Sequence, residues 1–284
     1  MVGVSLRGVD GEGFRRGPGR QSSRRFGPIA AAVIAAALLL GAAGGATAGP
    51  CAAPEAVTRF SAPMPAMRRA FETGAPVRIV AFGSSSTEGA GASARERTYP
   101  ARLAAALRRS FPGRSFQVIN RGKGGELAIH MLARLERDVV AEAPTLVIWQ
   151  TGVNDAIRGV AMPMFAATVS DGLARLRAAD IDVVLLDQQY YPKAAAVKNY
   201  SAYLALVRRL GAEHEVPVFR RYELMEYLVE SGQFRIEDLL APDRFHQNDL
   251  SYDCLGSVIA EAFKVRFGAS GGSSAMPRRA SVAD

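Results

Sequence analysis

The stretch Val77-Arg78-Ile79-Val80-Ala81-Phe82-Gly83-Ser84-Ser85-Ser86-Thr87-Glu88-Gly89 decides how this chain is read. Val77 to Phe82 is a short, almost continuous apolar run, the pattern of a strand buried on both faces. A Gly/Ser loop follows at once, and a helical pattern runs from about Tyr99 to Ser110. The same alternation continues outward. Phe116 to Ile119 reads as a second strand and about Glu126 to Ala141 as a helix. Leu146 to Gln150 is a third strand, followed by a helix from about Met164 to Ala179. Val183 to Leu186 is a fourth, followed by a helix from about Ala195 to Leu210. Val216 to Phe219 is a short fifth strand, and a last helix spans about Ser251 to Phe267. Apolar strands separated by helices predict a parallel sheet covered by helices on both faces, an α/β fold without internal repeats.

Upstream the composition changes. Met1 to Arg25 is rich in Gly, Arg and Ser, and Ile29 to Ala46 is an uncharged run of Ala, Ile, Val, Leu and Gly. The run ends in Ala46-Thr47-Ala48, a small-x-small site that a signal peptidase cuts. Residues 1–48 are therefore read as an export signal, with a periplasmic or extracellular product; an uncleaved membrane anchor is the alternative. Arg15-Arg16 and Arg24-Arg25 are paired, but Phe26-Gly27-Pro28 makes a poor twin-arginine context, and Pro50 disfavours a lipoprotein role for Cys51. Cleavage leaves no stable membrane span. Residues 49–76 read as a Pro- and Ala-rich lead-in, 77–267 as the folded domain, and 268–284 as a disordered tail rich in Gly and Ser.

The full chain of 284 residues is 49% hydrophobic and carries a net charge of +8. Of its 35 basic and 27 acidic residues, six Arg and the pair Asp10 and Glu12 lie in the leader. The remainder has 29 against 25, a net of +4, and nucleic acid is not indicated as a partner. Cys51 and Cys254 are the two cysteines. They are too far apart in sequence to suggest a metal site, and in an oxidising compartment they could pair; spacing leaves that open.

In open parallel sheets the reactive groups sit in loops beyond the carboxyl ends of the strands. Three such loops carry unusual residues. The first holds Ser84, Ser85 and Ser86 between glycines. It lacks the Gly-Lys-Ser/Thr of a phosphate-binding loop, and Thr87 stands where the nucleophile elbow of α/β-hydrolases needs Gly. The second, Asn120-Arg121-Gly122-Lys123-Gly124-Gly125-Glu126, can present bare backbone N–H groups to a ligand. The third, Gln150-Thr151-Gly152-Val153-Asn154-Asp155, sets a carboxamide and a carboxylate directly after a strand. Each, taken alone, also reads as an ordinary turn or helix cap.

Of three histidines, His130 falls in an amphipathic helix and His214 lies between Glu213 and Glu215 as a solvated loop residue. His246 differs. It sits in Asp243-Arg244-Phe245-His246, a non-helical segment led in by Pro242. A carboxylate three residues earlier can accept a hydrogen bond from one ring nitrogen, leaving the other as a base.

Gly-x-Ser-x-Thr-x-Gly, Asn-x-Gly-x-x-Gly, Gly-x-Asn-Asp and Asp-x-x-His, in this order, resemble the blocks of the SGNH/GDSL hydrolases over about Val77 to Phe267. The resemblance implies a three-layer α/β/α sandwich with a flavodoxin-like five-stranded parallel sheet. It also implies an ester hydrolase without metal or organic cofactor. On it Ser85 falls on the nucleophile, with Gly83, Thr87 and Gly89 fixing the register. Gly125 falls on the backbone oxyanion donor, Asn154 on the side-chain oxyanion donor, and Asp243 and His246 on the rest of the triad. Ser84 replaces the Asp of GDSL, and Gln247 replaces the Pro that commonly follows the histidine. Asp155 is read as holding the loop of Asn154.

The expected chemistry is acyl transfer: His246 takes the Ser85 proton as the oxygen attacks an ester carbonyl. The N–H groups of Ser85 and Gly125 and the Asn154 amide receive the oxyanion, each such donor typically worth about 100- to 1000-fold in rate. The substrate expected is a small-molecule, lipid or acylated-carbohydrate ester. A non-catalytic binder of acylated glycan or lipid, or an acyltransferase, would use the same residues. Tyr190 and Tyr191 either line the cleft or pack in the body. Ser85→Ala is predicted to abolish ester hydrolysis with an unchanged circular-dichroism spectrum; retention of most activity would exclude the mechanism.

Overall fold

Five strands pair in the order β2-β1-β3-β4-β5, all parallel, in the computed structural model, which describes residues 51–268. They are β1 (Val77–Gly83), β2 (Phe116–Gly122), β3 (Leu146–Gln150), β4 (Asp182–Leu186) and β5 (Val218–Phe219). The helices before β2 are α1 (Glu55–Thr58), α2 (Pro65–Thr73), α3 (Ser85–Glu88) and α4 (Tyr99–Ser110). Then come α5 (Ala128–Ala133), α6 (Leu135–Asp138), α7 (Val153–Ile157) and α8 (Met162–Ala178). The last are α9 (Tyr200–Glu213), α10 (Arg221–Glu230), α11 (Ile236–Leu239) and α12 (Asp249–Phe267). The leader read at 1–48 and the tail beyond Gly268 lie outside the described residues.

This is the expected α/β/α sandwich with a flavodoxin-like strand order. The layers follow from strand periodicity, since successive side chains point to opposite faces. Val77, Ile79 and Ala81 enter one core with Leu103, Leu107, Leu255 and Phe263 of α4 and α12. Val80 and Phe82 enter the other with Trp149 and with Val169, Leu173, Val207 and Leu210 of α8 and α9. The strand order reverses between β1 and β3, which pair directly. The crevice at such a switch point is where α/β sheets place their ligands, and it lies between the first and third of the unusual loops.

Four sequence expectations change in detail. The lead-in is part of the folded body: Val57, Phe60, Met67 and Phe71 are buried, and the Met67 amide donates to the buried Asp182 carboxylate at 2.7 Å. The helix expected over 126–141 is broken into α5, α6 and a short 3-10 turn. Arg134 leaves helical geometry between them, at φ −113° and ψ 7°, and its guanidinium is spent on buried acceptors. The fifth strand is shorter than read, and helices α10 and α11 occupy a stretch for which no element was expected. Their apolar residues divide between both cores, Leu224 and Leu228 on one side and Met225 on the other, which blurs a single stripe. Among the described residues no helix is long and apolar enough to cross a membrane.

Cys51 and Cys254 are joined, with Cα atoms 5.3 Å apart and 203 residues of separation. The bridge fastens the start of the described chain to α12. A cross-link closing so long a loop restricts the unfolded chain, and losing one typically costs about 2–5 kcal/mol. Cys51→Ser/Cys254→Ser is expected to lower Tm by about 5–15 °C in differential scanning calorimetry. A change under about 1 °C would show that the bridge adds nothing to stability.

Candidate active site

The turn after β1 is built around one carboxamide. Gln150, the last residue of β3, is fully buried, and its Oε1 accepts from the Ser84 amide at 2.9 Å. It also accepts from the Ser84 hydroxyl at 3.1 Å and the Thr87 hydroxyl at 3.2 Å. Thr87 Oγ1 and the Tyr99 hydroxyl are 3.2 Å apart. Two residues of the Gly-x-Ser-x-Thr block, Ser84 and Thr87, are thus locked to the neighbouring strand, while Ser85 between them stays only partly buried.

The second loop closes on this turn from the β2 side. Asn120 Nδ2 donates to Thr87 O at 2.7 Å, and its Oδ1 accepts from the Gly122 amide at 2.8 Å. Gly122 backs directly onto the Glu88 amide, where a Cβ would collide with backbone atoms. A Cβ on Gly124 would stand 4.0 Å from the Ser85 Cβ, so this backbone runs beside the serine. Gly125 adopts φ +73°, a left-handed conformation that favours glycine. Arg134 anchors the loop from beneath. It donates to Glu126 Oε2 at 2.7 Å, to Arg121 O at 2.9 Å and to Gly83 O at 3.1 Å. Its guanidinium also stacks over Phe82, 4.4 Å from the ring centre.

The third loop meets the second. Asn154 Nδ2 donates to Glu126 O at 2.8 Å, which uses one of its two N–H donors; the other has no partner among the described residues. The Asp155 carboxylate accepts from the Ala128 amide at 3.1 Å and so ties the loop of Asn154 to the start of α5. Burial pushes the Asp155 carboxyl up, against amide bonds from Ala128, Gly152 and its own N–H.

The segment before α12 completes the arrangement. Asp243 Oδ1 accepts from the Phe245 and His246 amides, both at 2.9 Å. Arg244 between them takes φ +57°, and this tight turn brings the ring back onto its own carboxylate. Asp243 Oδ2 lies 2.5 Å from His246 Nδ1, and His246 Nε2 lies 2.8 Å from Ser85 Oγ. With Nδ1–H directed at Asp243, Nε2 is left to accept the serine proton. Burial opposes ionisation of Asp243, yet the bonds from the His246 ring and the two amides hold its carboxyl below the usual range. The segment is pinned by an antiparallel bridge between Leu240 and Gln247, with the Ala241 amide donating to His246 O at 2.8 Å.

A model of the non-GDSL lipase-like family matches residues 50–266. The chain belongs to the non-GDSL lipase-like family. Among solved structures this lipase-like chain is similar to a two-domain esterase active on acetylated mannans, at 22% identity and a TM-score of 0.63. That match covers 73% of this chain and 54% of the esterase, so the chain spans about half of that protein. A lipase/acylhydrolase from Enterococcus faecalis matches at 24% identity and a TM-score of 0.55, over 67% of this chain and 96% of that one. An acetyl xylan esterase from Geobacillus stearothermophilus matches at 20% identity and a TM-score of 0.54, over 68% of this chain and 94% of that one. At these identities the likeness is one of fold. No protein of curated function matches the chain at a significant level.

The structure brings Ser85, His246 and Asp243 into one hydrogen-bonded line and sets the Gly124–Gly125 backbone beside it, with Asn154 bonded to the same loop. His130 is exposed on α5. His214 ends α9 with its Nε2 2.8 Å from Ser170 Oγ, so it is a bonded cap rather than a freely solvated residue. Tyr191 is buried edge-on to Phe245, with ring centres 5.0 Å apart, and Tyr190 packs on Tyr222; both act as packing. Among the described residues, no cluster of three or more His, Cys, Asp or Glu is placed to hold a metal ion.

Sequence reasoning did not single out Gln150, Glu126 or Arg134. A polar residue closing the apolar run Leu-Val-Ile-Trp-Gln was the available signal for the first. Gln150→Leu is expected to cost about 1–3 kcal/mol for the stranded Ser84 amide alone, whereas Gln150→Glu keeps an acceptor and costs less. Urea unfolding reads both; a leucine variant within about 0.5 kcal/mol of wild type would contradict this anchoring.

Proposed function

We propose that this chain is an exported serine esterase that cleaves short-acyl esters on a carbohydrate through an acyl-enzyme. The observation that carries the reading is the unbroken line from Ser85 Oγ to His246 Nε2 and from His246 Nδ1 to Asp243, at 2.8 and 2.5 Å. Ser85 Oγ attacks the ester carbonyl carbon as its proton passes to Nε2, giving a tetrahedral oxyanion and an imidazolium held by Asp243. The Ser85 and Gly125 amides and the free N–H of Asn154 stabilise that oxyanion. The imidazolium returns the proton to the leaving alcohol as the carbon–oxygen bond breaks. Water, deprotonated by the same nitrogen, then attacks the acyl-serine, and free acid leaves with Ser85 restored.

An open site supports a polymeric or glycan-borne substrate. The Asp243 side chain is 48% exposed and that of His246 19%, so the reacting groups lie near the surface rather than at the foot of a deep acyl tunnel. Two of the similar structures are esterases for acetylated mannan and acetyl xylan, which points the choice toward acetyl groups. Export is supported by the leader composition and by the Cys51–Cys254 bridge, since disulfides persist in oxidising compartments. An acyltransferase shares every step up to the acyl-enzyme and differs in the acceptor that resolves it.

The test is turnover of p-nitrophenyl esters from acetyl to dodecanoyl, together with acetate release from acetylated mannan and xylan oligosaccharides. The expected result is kcat/KM highest for acetyl and falling with chain length, with acetate released from at least one glycan. Preference for long chains would overturn the substrate class, absence of turnover would favour a binder, and acetyl transfer to added sugar would favour a transferase.

A further inference from the structure

The residue after the base is Gln247, where the SGNH/GDSL pattern commonly has proline, and the backbone alone does not require it. The ladder bonds around the Leu240–Gln247 bridge run from Ala241 N to His246 O and from Asn248 N to Leu239 O. Neither uses the Gln247 amide, so a proline without an N–H would satisfy the same ladder. What glutamine adds is its carboxamide, which is 1% exposed. Its Nε2 donates to Ser251 Oγ at 2.6 Å, and its Oε1 accepts from Arg221 Nη1 at 3.4 Å.

Arg221 is the other half of this arrangement. It opens α10, is fully buried, and donates from Nε to Asp187 O at 2.9 Å. The Asp187 carboxylate, also fully buried, accepts from the Tyr222 amide at 3.0 Å and from Arg208 at 3.2 Å. A guanidinium stays charged in a protein, so burying one demands acceptors of fixed geometry. Arg221 Nη2 finds none among the described residues, which leaves the Gln247 oxygen and the Asp187 carbonyl as its side-chain and backbone acceptors. Above this pair the His246 segment has little room to shift. Gly91 is packed so closely on Gln247 O and the His246 Cβ that a side chain there would collide.

We propose that Arg221 and Gln247 form a buried mooring that sets the height of His246 against Ser85, acting as positioning residues for the proton transfer. The inference rests on the hydrolase reading above. The departure from proline is matched to a buried arginine carried in on α10, so that the end of β4, α10 and the start of α12 are coupled through the residue following the base. The Ser85–His246 bond of 2.8 Å is then held by side chains that touch neither substrate nor the reacting atoms.

The experiment uses the full chain with Gln247→Met, which keeps the volume and loses the acceptor, and Gln247→Glu, which keeps an acceptor. Readouts are kcat and KM on p-nitrophenyl acetate and the rate of labelling by a fluorophosphonate. For Gln247→Met, kcat and the labelling rate are expected to fall together by about tenfold or more, with KM within about twofold. Gln247→Glu should recover most of both rates. If the methionine variant does not fold by circular dichroism, Gln247→Asn, which withdraws the acceptor by one methylene, is read in the same way. A Gln247→Met enzyme within about twofold of wild type in both rates would overturn the mooring, as would a glutamate variant no better than methionine. Wild-type protein that neither turns over nor labels would instead overturn the hydrolase reading together with this inference.

Discussion

The hydrogen bond from Ser85 to His246 joins residues 161 apart, and neither partner is on a strand. One sits on a four-residue helix after β1 and the other in a loop before α12. Such a contact holds only if both turns are fixed more firmly than loops usually are. The chain does this with buried polar side chains at the carboxyl edge of the sheet. Gln150 collects three donors under the serine turn, and Arg134 ties the ends of β1 and β2 to Glu126. Asp155 fastens the Asn154 loop to α5, and Gln247 and Arg221 lie beneath the histidine. Buried hydrogen-bonded networks rigidify a site, because removing one member leaves its partners unpaired at a cost.

The parallel sheet explains why these anchors can work together. All five strands run in one direction, so every loop that follows a strand emerges on the same side. The order reversal between β1 and β3 opens a crevice there, and Gln150 reaches across it because β1 and β3 are direct neighbours. On the opposite flank, α12 packs against α4 and carries Cys254, whose bridge to Cys51 brings the start of the described chain onto the helix that follows His246. Stability and site geometry thus meet in α12, which begins two residues after Gln247.

The parts of this design that were legible in the sequence are those with short-range signatures. Val77 to Phe82 and Leu146 to Gln150 are apolar runs too short for helices, and the glycines at 83, 89, 122 and 125 mark backbone that must turn or approach closely. The lead-in helices were hidden because Pro63, Pro65 and several alanines read as linker, although Met67 and Phe71 are core residues. Arg134 lay inside an amphipathic pattern, and nothing local reveals that its guanidinium turns inward. Arg221 was hidden for the same reason: a charge at a helix start is ordinarily solvated, and here it is fully buried. Side-chain networks linking distant segments leave no periodic trace. The substitution of Gln for Pro at 247 was visible as a departure, but its partner 26 residues earlier was not.

The central claim is that one serine among three, Ser85, is activated by His246. Mapping the site of covalent modification tests it most directly. Intact protein treated with a fluorophosphonate, then digested and sequenced by mass spectrometry, should carry a single adduct on Ser85 in wild type and lose nearly all of it in His246→Gln. An adduct on Ser84 or Ser86, or labelling undiminished by the histidine substitution, would contradict the account.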